Sequence, residues 1–119
     1  MARVKRAVSG RKKRQTLKKL SKGYYGTSSR TFRGMKEQVS HSFEYQYRDR
    51  RNKKRDMRAL WIQRINAAAR QNDMSYSTFI HGLKLAGVEL DRKTLSQIAY
   101  EDPEGFKGLT QVAKKALTA

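Results

Sequence analysis

Residues 31–71, TFRGMKEQVSHSFEYQYRDRRNKKRDMRALWIQRINAAARQ, contain no proline and a single glycine, Gly34, so nothing in the stretch forces the chain out of a helix once one has begun. Thr31 or Ser29 stands where an N-cap belongs. Placed about 100° apart, Phe32, Val39, Phe43, Tyr47, Met57, Trp61, Ile65 and Ala68 fall within a sector of roughly 80°. The phase holds across the stretch, which predicts one helix of about 40 residues and roughly 60 Å. That is about twice the width of a small domain, so the N-terminal half of the helix is expected to project from the body formed by the rest.

Working outward toward the C-terminus, the signals after Asn72-Asp73 become those of compact helices. Ser75 is a cap candidate, Phe79, Ile80 and Leu83 share a face, and Gly87 is a C-terminal stop. Asp91 caps a segment carrying Leu95, Ile98 and Ala99. Asp102-Pro103-Glu104 then supplies an N-cap, a proline at the first helical position and an acid in the first turn. Phe106, Leu109, Val112, Ala113, Ala116 and Leu117 repeat at helical spacing, with Lys114 and Lys115 suited to the negative end of the macrodipole. Leu60, Trp61 and Ile65, beside an alanine run, read as core and not as a ligand-lining stripe. The expected fold is all-α: a long basic helical extension over residues 1–59 and a small globular helical bundle over 60–119.

Toward the N-terminus, residues 1–22 carry ten cations and no acid. So few apolar groups cannot offset the entropy of ordering, and the arm is expected to be disordered by itself. Thr16 to Lys22 has a weak helical period through Leu17 and Leu20 and ends at the break Gly23-Tyr24-Tyr25-Gly26.

Charge decides the class of partner. The 119 residues allow one core at most, and 28 Lys plus Arg against 10 Asp plus Glu leave a formal charge of +18. Residues 1–60 hold 20 basic and 4 acidic side chains, while residues 61–119 hold 8 and 6. So uneven a chain needs polyanions around its first half, which makes nucleic acid the leading partner class. Without cysteine, disulfides and thiolate metal sites are excluded, and His41 and His81 are too far apart to suggest a ligand pair. No metal or cofactor is expected. There is no run of 18 apolar residues, and MARVKRAVSGRKKRQ at the start lacks the apolar segment of a signal peptide. A soluble, unexported, cytoplasmic protein with no membrane partner is expected.

The densest signal is YRDRRNKKRDMR at 47–58. On a helix its cations, Arg48, Arg50, Arg51, Lys53, Lys54, Arg55 and Arg58, sweep about 220° of the circumference, leaving the remainder to Asp49 and Asp56. Like-charge neighbours such as Arg51/Arg55 and Lys54/Arg58 cost about 0.2–0.5 kcal/mol each, offset in part by the pairs Glu44/Arg48 and Asp49/Lys53. Resting on a duplex needs cations on one face, whereas cations over more than half the girth expect phosphates from several directions, which points to insertion between RNA elements. The plainer reading, a solvated charged helix, fits poorly with seven cations to two acids.

The tyrosines leave two readings open. Gly23-Tyr24-Tyr25-Gly26 combines stackable rings with glycines that admit close backbone approach, as RNA bases or ribose would require. Alternatively, Tyr24 and Tyr25 fold back onto the long helix as a satellite core, and Tyr45 and Tyr47 share the ambiguity. Enzyme signatures are missing: there is no phosphate-binding glycine loop, HExxH or nucleophile elbow. Ser40 and His41 are adjacent and so diverge on a helix, and His81 is expected to pack or to make a local hydrogen bond.

The strings KGYYG at 22–26, YRDRRNKKRDMRALWIQRINAAAR at 47–70 and SYSTFIHGLKLAGVELDRK at 75–93 closely resemble the bacterial large-subunit ribosomal protein L-twenty family, in order and over essentially the whole chain. The resemblance implies an all-helical protein with an RNA-penetrating N-terminal extension and a globular C-terminal domain, bound directly to 23S ribosomal RNA beside neighbouring large-subunit proteins. It further implies a role early in large-subunit assembly and none in peptidyl transfer. Some family members also repress translation of their own messenger RNA. Carried over by position, the RNA contacts would fall on Arg3, Lys5, Arg6, Arg11, Lys12, Lys13, Arg14, Lys22, Gly23, Tyr24, Tyr25, Gly26 and the seven cations Arg48 to Arg58. The charge of the arm and of the helix start adds Lys18, Lys19, Arg30 and Arg33. The chain departs from the family where basic residues often follow the second glycine, having Thr27, Ser28 and Ser29 instead.

Two other classes remain to be separated from this one. A DNA-binding architectural protein would share the charge but usually shows groove wedges, dimer-forming elements or a proline-tipped ribbon, none of them evident here. A protein-interaction module at 59–119 with a basic targeting tail is the third. Copurifying large-subunit RNA, DNA or a protein partner distinguishes the three.

Overall fold

The computed structural model describes residues 6–119. Five helices follow one another: α1 (Arg6–Leu20), α2 (Phe32–Gln71), α3 (Tyr76–Leu85), α4 (Arg92–Glu101) and α5 (Pro103–Thr118), with a single 3-10 turn at Gly26–Ser29 before α2. Among the described residues there is no strand, as the all-α expectation requires. The chain divides into two compact units, one ending at Arg51 and the other comprising Asn52–Ala119.

In the first unit the described part of the arm forms α1 over Arg6–Leu20. Lys, Arg, Gln and Leu, which dominate α1, lose little side-chain freedom in a helix, so local propensity forms it without burial. None of its residues is buried, and Lys18 and Lys19 sit in its last turn, where cations oppose the macrodipole. Among the described residues of this unit, Ser21, Met35 and Val39 are buried. Thr31 is the cap of α2: its hydroxyl oxygen accepts from the Gly34 amide at 3.3 Å. Ser29, the other candidate, lies inside the 3-10 turn. Gly34 is required by crowding, because a Cβ there would stand 2.8 Å from the Thr27 carbonyl oxygen.

The second unit packs the end of α2 and helices α3 to α5 around Ile65, Ala68, Ala69, Met74, Phe79, Leu83, Leu95, Phe106 and Ala113. The Phe79 and Phe106 rings lie 5.0 Å apart between centroids, tilted by 35°. Burying each of the largest side chains contributes about 1.5–3 kcal/mol. The local stops are where the sequence places them. Ser75 accepts from the Thr78 amide, Asp91 from Thr94 and Asp102 from Gly105. Gly87, at φ 69°, ends α3 with its own amide donating to Lys84 and that of Val88 to Leu83. Asp73 ends α2 the same way at φ 56°, with its amide donating to Arg70 and that of Met74 to Ala69. The Lys114 ammonium donates to the Asn72 carbonyl at 2.8 Å, so a cation assigned by sequence to α5's own end serves the end of α2.

The apolar stripe of α2 is not used along its length. Val39, Ile65 and Ala68 are buried, but Phe32, Phe43, Tyr47 and Met57 are exposed, and Trp61 with Leu60 is half-buried. Arg50 and Lys54 occupy the same sector of the wheel in the middle of the helix, which leaves no apolar face there to cover.

Candidate nucleic-acid interface

The seven cations of the 48–58 string are all on α2 and all exposed. Their electrostatics differ from the expected pairing. Glu44 faces His41, 3.5 Å from Nδ1, and Asp49 accepts from the Arg48 Nε at 3.0 Å, so the pairs Glu44/Arg48 and Asp49/Lys53 do not form. Among the described residues, Arg50, Arg51, Lys53, Lys54, Arg55 and Arg58 form no ion pair.

Two of the arginines are held by aromatic rings. The Arg51 guanidinium lies 4.9 Å from the Tyr47 ring centroid and donates to the Tyr47 hydroxyl at 2.7 Å. Arg48 lies 4.8 Å over Tyr45. Neither tyrosine serves a satellite core, since they are 53% and 58% exposed. Each ring instead gives its arginine a cation–π contact.

The arm supplies a second group. Arg6, Arg11, Lys12, Lys13, Arg14, Lys18 and Lys19 are exposed on α1, and Arg14 lies 5.4 Å over the Phe32 ring at the start of α2. Lys22 and Arg30 are exposed in the connection. Arg33 is exposed as well and lies 3.7 Å from Glu37. Arg3 and Lys5 lie outside the described residues. A groove of about 690 Å³ between α1 and Met35 is lined by Arg6, Arg11, Arg14 and Lys18. A further groove of about 660 Å³ is lined by Gln15, Lys18, Lys19, Lys22, Gly23 and Ser29.

The Gly23 to Gly26 turn divides its two tyrosines. Tyr24 is half-buried with its hydroxyl 2.8 Å from Ser42 Oγ, whereas Tyr25 is 98% exposed. Fold-back therefore holds for the first ring only. Thr27, Ser28 and Ser29, where the family pattern often has cations, make the 3-10 turn, and the Thr27 carbonyl accepts from the Arg30 and Thr31 amides.

Sequence reading missed Ser42 as the partner of Tyr24 and missed Met35 as buried, though Met35 lies one turn before Val39. It also missed Arg64, whose guanidinium lies 5.5 Å over the Tyr100 ring in the second unit. His81, expected to pack or to make a local hydrogen bond, is exposed. Ser40 donates to the Lys36 carbonyl at 2.8 Å while His41 faces Glu44, so the adjacent pair is no catalytic dyad. Among the described residues no cluster of metal-ligating side chains occurs, and no helix is long and apolar enough to cross a membrane.

Comparison with known proteins places this geometry. A family model described as Ribosomal protein L20 matches residues 3–109. The chain is similar to the large ribosomal subunit protein bL20 of Lactococcus lactis subsp. cremoris, 57% identical over 117 residues and covering 98% of each chain. It is similar also to the large ribosomal subunit protein bL20 of Rhodospirillum centenum, 56% identical over 119 residues and covering each chain in full.

Proposed function

Because the chain belongs to the ribosomal protein L20 family, and is thus a protein of the large ribosomal subunit and not an enzyme, we propose that it binds 23S ribosomal RNA directly and clamps separate RNA segments during early assembly of the subunit. The observation that carries this reading is the string of exposed cations on α2 from Arg48 to Arg58, most of them without an ionic partner. Cations presented around more than half the girth of a helix accept phosphates from several directions at once. Each such contact releases condensed counterions and lowers the repulsion between the RNA segments it joins. The contacts are positional and carry no base identity, so sequence is read, if at all, elsewhere on the protein.

The extension over residues 1–59 is the RNA-penetrating part in this account, and residues 60–119 are the globular part. Arg6, Arg11, Lys12, Lys13, Arg14, Lys18, Lys19, Lys22, Arg30 and Arg33 extend the same electrostatic surface along the arm. Nothing favours the DNA-architectural alternative, since the relatives are proteins of the large ribosomal subunit.

Joint replacement Arg51→Glu/Arg55→Glu tests the reading. Binding to deproteinised large-subunit RNA should be crippled, while the thermal melt followed by helical circular dichroism keeps the transition of the globular part. Unchanged RNA affinity would contradict the assignment of these cations, and loss of the melt would contradict the division of labour.

A further inference from the structure

Tyr24 and Tyr25 are neighbours in sequence, yet one is tied to α2 and the other touches almost nothing. Gly23 and Gly26, on either side of the pair, both have positive φ, 88° and 64°. A Cβ at either position would meet nothing within 4 Å, so backbone conformation and not crowding selects glycine there. With Tyr24 anchored, the turn is held in a shape that turns the Tyr25 ring outward at 98% exposure. A ring so exposed adds nothing to the core of either unit.

The groove lined by Gln15, Lys18, Lys19, Lys22, Gly23 and Ser29 has a volume of about 660 Å³. Gly23 and Ser29 bracket Tyr25 in the chain, so the turn that presents the ring also forms a wall of the groove. Lys18, Lys19 and Lys22 contribute to its lining and no acidic residue does, which suits an anion. An exposed aromatic ring carried on the turn that walls a lysine-lined groove is a combination by which proteins hold unpaired bases, the ring stacking on the base and the cations taking the backbone.

We propose that this elbow captures one unstacked nucleotide of an RNA, its base on the Tyr25 ring and its phosphate among Lys18, Lys19 and Lys22. The inference rests on the RNA-binding reading above and adds to it a preference for single-stranded or bulged RNA. Stacking tolerates any base, so the elbow selects an unpaired nucleotide and not a sequence. Tyr24 acts here as a positioning residue, since it holds the turn from behind.

The test uses the full chain and two short RNAs of equal phosphate number, one single-stranded with a central 2-aminopurine and one a perfect duplex. For the single strand, Tyr25→Ala should lose affinity by about tenfold to a hundredfold and abolish the change in 2-aminopurine fluorescence, and Tyr25→Phe should retain both. Duplex affinity should be the same in all three proteins. Equal single-strand affinity in Tyr25→Ala, or an equal loss on the duplex, overturns the proposal while leaving RNA binding intact. Intact RNA binding by Tyr25→Ala together with lost association with a large-subunit protein also overturns it, in favour of a protein contact. Failure of the unsubstituted chain to bind either RNA overturns the RNA-binding reading itself.

Discussion

Tyr24 donates its hydroxyl proton to Ser42 Oγ at 2.8 Å, because the Ser42 hydroxyl is itself committed to the Gln38 carbonyl at 2.8 Å. The two side chains form one relay from the turn after α1 onto the long helix. Tyr24→Phe removes the donor and keeps the ring, which should cost the turn about 0.5–1.5 kcal/mol. Amide exchange at residues 21–31 should quicken in Tyr24→Phe and stay unchanged in Tyr25→Phe. Equal exchange in the two variants would show that the relay does not hold the turn.

Gly82 lets α3 and α5 approach closely. A Cβ at this position would stand 2.7 Å from the Ala113 carbonyl oxygen and 2.8 Å from the Ala113 Cβ. In an exposed helix Gly→Ala would stabilise by about 1 kcal/mol. Here the clash is with backbone, so Gly82→Ala should lower stability by about 1–3 kcal/mol, read as a lower urea midpoint at unchanged slope. A raised midpoint would mean that the helices separate freely.

Asp91 caps α4, and hydrogen bonds from the Thr94 hydroxyl and then from the Thr94 amide hold its carboxyl below the ordinary value of 3.8. The folded state therefore favours the ionised form. The cap's contribution is complete above the unfolded value and is lost as pH falls through the lowered folded one. The Thr94 amide proton resonance should titrate with a midpoint below 3.8 in the folded protein, and in Asp91→Ser, which caps without a charge, it should not titrate in that range. A midpoint at or above 3.8 would refute the cap's preference for the carboxylate.

How far the sequence carried the fold depends on the range of the interaction. Ser75, Gly87, Asp91 and Pro103 were legible because a cap or stop is written within about four residues and needs no distant partner. The middle of α2 was not: Phe43, Tyr47 and Met57 keep the helical phase of Ile65, but phase says only which residues share a face and not whether anything covers it. Lys114 was read as serving its own helix, yet its acceptor is the Asn72 carbonyl, 42 positions away. The ion pairs failed for a local reason, since Arg48 and His41 compete for the carboxylates that i,i+4 spacing assigns elsewhere.

The candidate interface was legible as charge and less so as geometry. Composition alone marked the cations from Arg48 to Arg58, all of which are exposed on α2. Composition could not divide Tyr24 from Tyr25, because two adjacent identical residues differ only in what the turn does with them. Nor could it foresee that Tyr45 and Tyr47 would lie under Arg48 and Arg51, although spacings of three and four residues on a helix permit it.

The most direct test is the affinity of the full chain for deproteinised 23S ribosomal RNA as salt is raised from about 50 to about 200 mM. With about 6 to 10 phosphates neutralised, affinity should fall on the order of 10³ to 10⁵-fold, linearly in the logarithms. An affinity that stays flat across this range would contradict the claim that these cations grip the RNA backbone.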